Sequence, residues 1–160
     1  MPTQSSPRWL NPVEMTAWRQ LVDLMGALNH DLESELVSAH NLTIGDYQVL
    51  VVLSEQPEHE MRMCDLSALL GLSPSGLTRR LDGLVARGLV ERRPDVGDRR
   101  VILAVLTPEG FSTLGAAAPD HVEGVRRHFL DHLSERQVAT LAKILTTVVT
   151  ARTQSTGLND

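Results

Sequence analysis

One cysteine in 160 residues, Cys64, excludes an internal disulfide framework. No apolar run approaches the roughly 18 residues that a membrane-spanning helix requires. The first residues, MPTQSSPRWLN, lack the apolar segment of a secretory signal, so a cytoplasmic location is expected. Catalytic signatures are missing as well: the chain has no P-loop, dinucleotide-binding glycine pattern, HExxH motif or Ser-His-Asp order. Neither an enzyme nor a cofactor is expected, and no catalytic domain is expected after the last helix. Internal repeats and low-complexity segments are absent too. What is present is a chain with 42% hydrophobic residues, long enough to bury one core.

The formal net charge is −5, but it is unevenly spread. Between Arg62 and Arg100 stand eight arginines against five carboxylates, a net +3, which leaves −8 for the remainder. A basic lobe on an acidic body is the footprint of a protein that offers one face to a polyanion. On charge alone, the same arginines are equally compatible with an ordinary solvated surface.

Local signals place the elements. Asn11-Pro12-Val13-Glu14 predicts a helix start, with Asn as cap, proline at the first turn and Glu reaching back. Trp18, Leu21, Met25, Leu28 and Leu32 follow at spacings of 3, 4, 3 and 4. This heptad stripe suits packing against another helix, and the helix is expected to end near His40. Thr43 with Asp46 caps a second helix whose core face carries Tyr47, Leu50, Val51 and Leu53, and Pro57 closes it. A small strand is expected over 58–62. A short helix over 65–70 and a helix opened by Ser73-Pro74 and closed by Gly88 then form a helix-turn-helix. Strands over 89–93 and 101–106 flank a loop containing Gly97, giving a hairpin. Thr107-Pro108 caps another helix, which Pro119 is expected to kink or split. Ser134 with Gln137 opens the last helix, with a stripe of Val138, Leu141, Leu145 and Val148.

The expected fold is mainly α with a small β-hairpin wing. A winged helix-turn-helix lobe over about 43–107 stands between dimerisation helices over about 12–40 and 108–152, within a single domain spanning 1–160. The apolar stripes at both ends exceed what one small lobe can cover, so pairing with a second copy is expected over a purely internal core.

On the helix opened by Ser73, a 100° step per residue gathers Leu77, Leu81, Leu84 and Val85 on one side. Ser75, Arg79, Asp82 and Ala86 face the other way, with Gly76 and Gly83 nearby and Thr78 and Arg80 flanking. A helix fits the DNA major groove, small residues let its backbone approach, and arginine can bind guanine O6 and N7 together. Arg79 is therefore the candidate base reader. Ser75, Thr78 and Arg80 are candidates for bases or phosphates, and Ser73, Ser75 and the helix N-terminus for a phosphate. An isolated amphipathic helix would carry solvated arginines for no such reason; the neighbouring hairpin is what favours a DNA reader. At the hairpin tip, Asp98-Arg99-Arg100 sets a carboxylate beside two cations. An arginine there can enter a narrow minor groove, with Asp98 as its brace. A loop salt bridge without a DNA role is the alternative, and the sequence does not distinguish which arginine would insert.

The run Gly88-Leu89-Val90-Glu91-Arg92-Arg93, then Asp98-Arg99-Arg100, then Leu106-Thr107-Pro108-Glu109-Gly110 resembles the signature of the MarR family of bacterial transcriptional regulators. Leu66 to Ser75 is similar to that family's helix-turn-helix, and Asp98 and Arg100 match its D-x-R wing element. The resemblance implies a homodimer with interlocked terminal helices and two winged lobes on a pseudo-palindromic double-stranded operator. It also implies repression relieved by a small, possibly aromatic or phenolic, ligand or by oxidation. A ligand cleft between the dimer helices and the lobe is implied, with Trp18, Arg19, His30, His40 and Tyr47 as candidates. Trp18 could stack on an aromatic ring and Arg19 could hold a carboxylate, although Trp18 also reads as core, and His30 and His40 as surface or interface residues.

Cys64 is the sole candidate redox switch, in an N-cap-like place on the short helix, where a thiol can be acidified; a buried structural cysteine is the competing reading. His128 and His132 stand four apart, with His121 nearby, a spacing that can bind zinc, but no third ligand completes a set and no metal is expected. A dimeric winged-helix scaffold that binds a protein partner is the remaining non-DNA reading.

Overall fold

The computed structural model describes residues 7–156, so residues 1–6 of the expected N-terminal tail lie outside the described residues. The described chain runs α1 (Pro12–His40), α2 (Ile44–Ser54), β1 (Glu60–Arg62), α3 (Met63–Leu69), α4 (Pro74–Ala86), β2 (Val90–Pro94), β3 (Ile102–Leu106), α5 (Pro108–His128) and α6 (Glu135–Thr156). Short 3-10 turns stand at Pro57–His59 and Leu130–His132. The strands form one antiparallel sheet in the order β1-β3-β2, with Val90 opposite Leu106 and Pro94 opposite Ile102 in the hairpin. No described helix is long and apolar enough to cross a membrane.

The expected caps are made. Asn11 Oδ1 accepts the Val13 and Glu14 N–H groups, and Glu14 accepts the Asn11 N–H at 2.8 Å. Thr43 and Asp46 do the same for α2. Ser73 Oγ accepts the Gly76 N–H at 3.1 Å and starts α4; Gly88, at φ +70°, ends it. Thr107 has a wider reach. Its Oγ accepts the Gly110 N–H at 3.0 Å and donates to the Gly88 carbonyl at 2.7 Å. One hydroxyl thus starts α5 and fastens it to the turn between α4 and β2. Gly110 is required there because the Leu89 carbonyl occupies the space a Cβ would need.

The core lies inside the winged lobe. Leu42, Val49, Leu50, Leu53, Leu66, Leu77, Leu81 and Leu84 are almost fully buried, joined by Val90, Ala104 and Leu106 from the sheet and by Leu114 and Ala117 from α5. Each buried leucine contributes about 1.5–3 kcal/mol. Core burial thereby fixes α4 by one face and leaves its other face to solvent.

Four expectations are corrected. Pro119 neither splits nor ends α5, which is continuous to His128. Ala117 and Gly124 are buried on either side of it, and packing against α1 holds the helix through the missing hydrogen bond, a loss of about 3 kcal/mol in an unsupported helix. Val85 is 36% exposed, at the margin of the buried face. Cys64 is no cap and is not buried: α3 begins at Met63, and the thiol is exposed, 3.4 Å from Asp65 Oδ1. Trp18, read as core, is 57% exposed. Its neighbours on the stripe, Leu21 and Met25, are exposed with it, as are Leu145 and Val148 of α6.

Candidate nucleic-acid interface

Helix α4 presents Ser75, Thr78, Arg79 and Asp82 to solvent, as its periodicity predicts. Ser73 Oγ is engaged with Gly76 and lies 3.2 Å from Ser75 Oγ. The Thr78 hydroxyl donates to the Pro74 carbonyl at 2.9 Å. Both hydroxyls therefore serve the helix start first, and Ser75 is the freer of the two serines. Gly76 is half-buried beside them and borders, with Arg79, Arg80, Thr43 and Asp46, a hollow of about 400 Å³ between α2 and α4.

The arginines separate into two groups that composition could not distinguish. Arg80 is half-buried, and its guanidinium lies directly over Gly45 at the start of α2, where a Cβ would overlap it. Arg87 pairs with Asp46 at 3.8 Å. Arg93 pairs with Glu60 across the sheet. Arg92 on β2 reaches back to α4, donating to Asp82 Oδ1 at 2.7 Å and to the Thr78 carbonyl at 2.9 Å. These four brace the lobe. Among the described residues of the lobe, Arg62, Arg79 and Arg99 make no ion pair and are exposed.

Arg92 is the contact that sequence reasoning missed. Its clamp ties the wing to α4 and covers Asp82, the one carboxylate on that helix. Nothing local announces it, because its partners lie 10 and 14 residues away on another element.

At the wing tip, Asp95 folds the loop by accepting the Gly97 and Asp98 N–H groups at 2.7 and 3.0 Å. Asp98 then grips Arg100 with both oxygens, accepting from Nε and from a terminal nitrogen, each at 3.0 Å, and also accepts the Arg100 N–H. The Arg100 guanidinium, then its backbone N–H, hold the Asp98 carboxyl below its ordinary range, and Asp98 pushes the Arg100 guanidinium up in return. The Arg100 side chain is still 91% exposed. It is a pre-aimed cation, with Arg99 and Val96 exposed beside it.

A second feature lies behind the lobe. Leu32 of α1, Ile44, Tyr47 and Val51 of α2, Leu70 at the end of α3 and His121 of α5 line a groove of about 300 Å³. Tyr47 and His121 meet ring to ring at 4.4 Å with a tilt of 40°. Burial pushes the Tyr47 phenol up and the His121 imidazole down. His121 Nδ1 is buried without a hydrogen-bond partner. Of the five ligand candidates, only Tyr47 lines this groove. His40 pairs with Asp120 at 2.7 Å in an adjoining hollow of about 10 Å³. Trp18, Arg19 and His30 are exposed on α1 and do not reach it. His121, considered from sequence only for metal, is the residue the groove contains.

The two histidines grouped with it by spacing lie elsewhere. His128 Nε2 lies 2.7 Å from Glu35 Oε1, and this contact, followed by Arg127, holds the Glu35 carboxyl below its ordinary range. His132 falls in the turn after α5, so the helical i, i+4 relation to His128 does not hold. No cluster among the described residues could hold a metal ion.

Comparison with known proteins agrees with this geometry. A sequence model of the MarR family matches residues 40–101. AbsC, a MarR family transcriptional regulator from Streptomyces coelicolor, is 37% identical with a TM-score of 0.85, over 92% of this chain and 99% of that one. Sco3205, a MarR family regulator from the same organism solved in complex with DNA, is 31% identical with a TM-score of 0.85, over 91% of each chain. CouR from Rhodococcus jostii RHA1, solved bound to p-coumaroyl-CoA, is 28% identical with a TM-score of 0.71, over 82% of this chain and 90% of that one. The likeness extends beyond the wing to the helices before and after it. The chain belongs to the MarR family: it is a DNA-binding transcriptional regulator and not an enzyme.

Proposed function

We propose that the protein is a homodimeric repressor that binds a pseudo-palindromic operator and is released from it by a small molecule. The observation that carries this reading is the pairing of an unpaired, outward Arg79 on α4 with a pre-aimed Arg100 on the adjoining wing. Arg79 reads a guanine in the major groove. Ser75 and Gly76 bring the helix start onto a phosphate, with Ser73 and Thr78 shaping that start. Arg100, held by Asp98, enters the neighbouring minor groove, and Arg99 contacts the backbone. Arg80 supports α4 from behind. The exposed stripes of α1 and α6 are covered by a second copy, and its two-fold symmetry sets that of the operator. An occupied operator excludes the transcription machinery from the promoter.

The groove beneath Tyr47 supports the release step. It touches α1 and α5, which serve the dimer, together with α2 and the end of α3, which carry α4. A ligand that fits only one angle between these elements shifts the lobe spacing away from the one DNA selects. The test is fluorescence anisotropy on DNA upstream of the protein's own gene, against scrambled DNA. Wild type should prefer the operator, and Arg79→Ala should lose about 1–3 kcal/mol of specific binding and blur one base position. Unchanged discrimination in Arg79→Ala would remove that residue from base readout.

A further inference from the structure

We propose that Val96, at the apex of the wing, is a specificity-determining residue for DNA: its methyl groups pack into the minor groove beside Arg100 and disfavour guanine on the floor beneath them. The inference deepens the DNA reading above and rests on the wing entering the minor groove. Three observations carry it.

The first is position. Isolated exposed apolar side chains are ordinary on protein surfaces. Val96 differs in its exposure, 97%, the highest of any large apolar residue among the described ones, and in its company. The loop is sorted by charge: Asp95 and Asp98 are half-buried, whereas Val96, Gly97, Arg99 and Arg100 are exposed. The tip thus advances one apolar side chain and two guanidinium groups and draws both carboxylates back. Gly97 adds no side chain that would hold Val96 away from a neighbouring surface.

The second is rigidity. Asp95 Oδ1 accepts the Gly97 and Asp98 N–H groups. The Asp95 N–H donates to the Val101 carbonyl and the Val101 N–H to the Asp98 carbonyl, each at 2.9 Å. These bonds bracket Val96, and its β-branch stiffens χ1 as well. A side chain already held gives up little freedom on binding, so the apolar area it buries is retained as affinity.

The third is the chemistry of the groove. Apolar side chains set against the bases are a common device of minor-groove binders. The floor over A·T pairs shows only acceptors, while G·C adds the guanine N2 amine. That amine projects where the valine methyls would lie, and covering it with carbon removes its hydrogen bond to water without replacing it. Arg100 senses the groove through its potential, which salt screens. Val96 senses it through shape and desolvation, which salt leaves alone.

The test uses a duplex that the purified full-length protein selects from random sequence, with hydroxyl-radical protection marking the pairs under the wing. Val96→Ser should weaken binding about five- to tenfold, the effect of losing partial burial of a valine. Its Tm and its slope of log affinity against log salt should match wild type, because no charge and no internal packing change. Val96→Ile should bind as wild type does. Exchanging an A·T pair under the wing for G·C should cost wild type about tenfold and Val96→Ser about threefold or less. Inosine·cytosine, which lacks only the N2 amine of G·C, should bind like A·T. The proposal is overturned if Val96→Ser binds undiminished, if its salt slope changes with its affinity, if G·C and inosine·cytosine are penalised alike, or if the G·C penalty survives in Val96→Ser. A selected duplex without minor-groove protection overturns the placement of the wing and the proposal with it. Failure to select any duplex refutes the DNA reading itself, whereas tight binding with Val96 inert refutes this inference alone.

Discussion

Replacing Arg92 by alanine separates a positioning role from mere positive charge. Two contacts are lost. The pair with Asp82, whose side chain is 60% exposed, is worth about 0.2–1 kcal/mol. The bond to the Thr78 carbonyl is worth about 1 kcal/mol. Stability should fall by about 1–2 kcal/mol, and Tm by about 2–8 °C for a chain of this size, which leaves the protein folded at assay temperature. The larger consequence is at the interface. Asp82, unmasked on the outward side of α4, would face DNA as an uncompensated carboxylate, and repulsion from each phosphate at a separation on the order of 7 Å costs roughly 0.6 kcal/mol at the dielectric of water. Operator affinity should fall by close to tenfold. Arg93→Ala is the control: it removes the same charge from the same strand, but its partner Glu60 lies away from α4, and it should cost no more than about threefold. Asp82→Asn added to Arg92→Ala should recover most of the lost affinity. Anisotropy on operator and scrambled DNA measures all four proteins. If Arg93→Ala is as damaging as Arg92→Ala, or the double variant recovers nothing, Arg92 is only a charge and the clamp has no role in binding.

Other consequences are checked more briefly. Asp98→Ala frees Arg100 from its brace; although the substitution makes the wing more positive, it should weaken operator binding about three- to tenfold and steepen its salt dependence, measured in the same assay. Counting Arg62, Arg79, Arg99 and Arg100 as the lobe's available cations, a two-lobed complex should show a slope of log affinity against log salt no steeper than about −7. A steeper slope would mean that cations outside the lobes reach DNA. Gly110→Ala drives a Cβ into the Leu89 carbonyl and should cost about 1–3 kcal/mol, read by denaturant unfolding. The pH dependence follows from His121. Burial depresses its folded value below the ordinary 6.5, so the unfolded chain takes up a proton where the folded one does not. Stability is complete above about pH 6.5 and falls as pH drops through that value toward the depressed one. His121→Phe should flatten Tm between pH 7 and 5, and an unchanged slope would assign the effect to other groups.

What the sequence made legible was local. Asn11, Thr43, Ser73, Gly88 and Thr107 announce their roles because a cap hydrogen bond closes within three residues of its donor. The outward position of Arg79 is equally local, since helical periodicity decides it once Leu77, Leu81 and Leu84 are buried. What stayed illegible is tertiary. Arg80 and Arg79 are neighbours with the same side chain, yet one lies over Gly45 and the other faces solvent, and only the packing of α2 on α4 separates them. Pro119 is a helix breaker by local rule and is overruled by the face that packs on α1. Trp18, Arg19 and His30 lie outside the groove that Tyr47 and His121 line, and helical spacing alone does not say which residues of α1 and α5 reach it. The same distinction explains how a chain of net charge −5 presents a basic face. Arg80, Arg87, Arg92 and Arg93 have their charge answered or enclosed within the lobe. What remains toward solvent is Arg62, Arg79, Arg99 and Arg100, on a helix that Ser73 starts and a wing tip that Asp95 and Asp98 fold. Two of those positioning groups are carboxylates, so part of the lobe's acidity builds the basic face, and removing it would raise the net charge while weakening the grip on DNA.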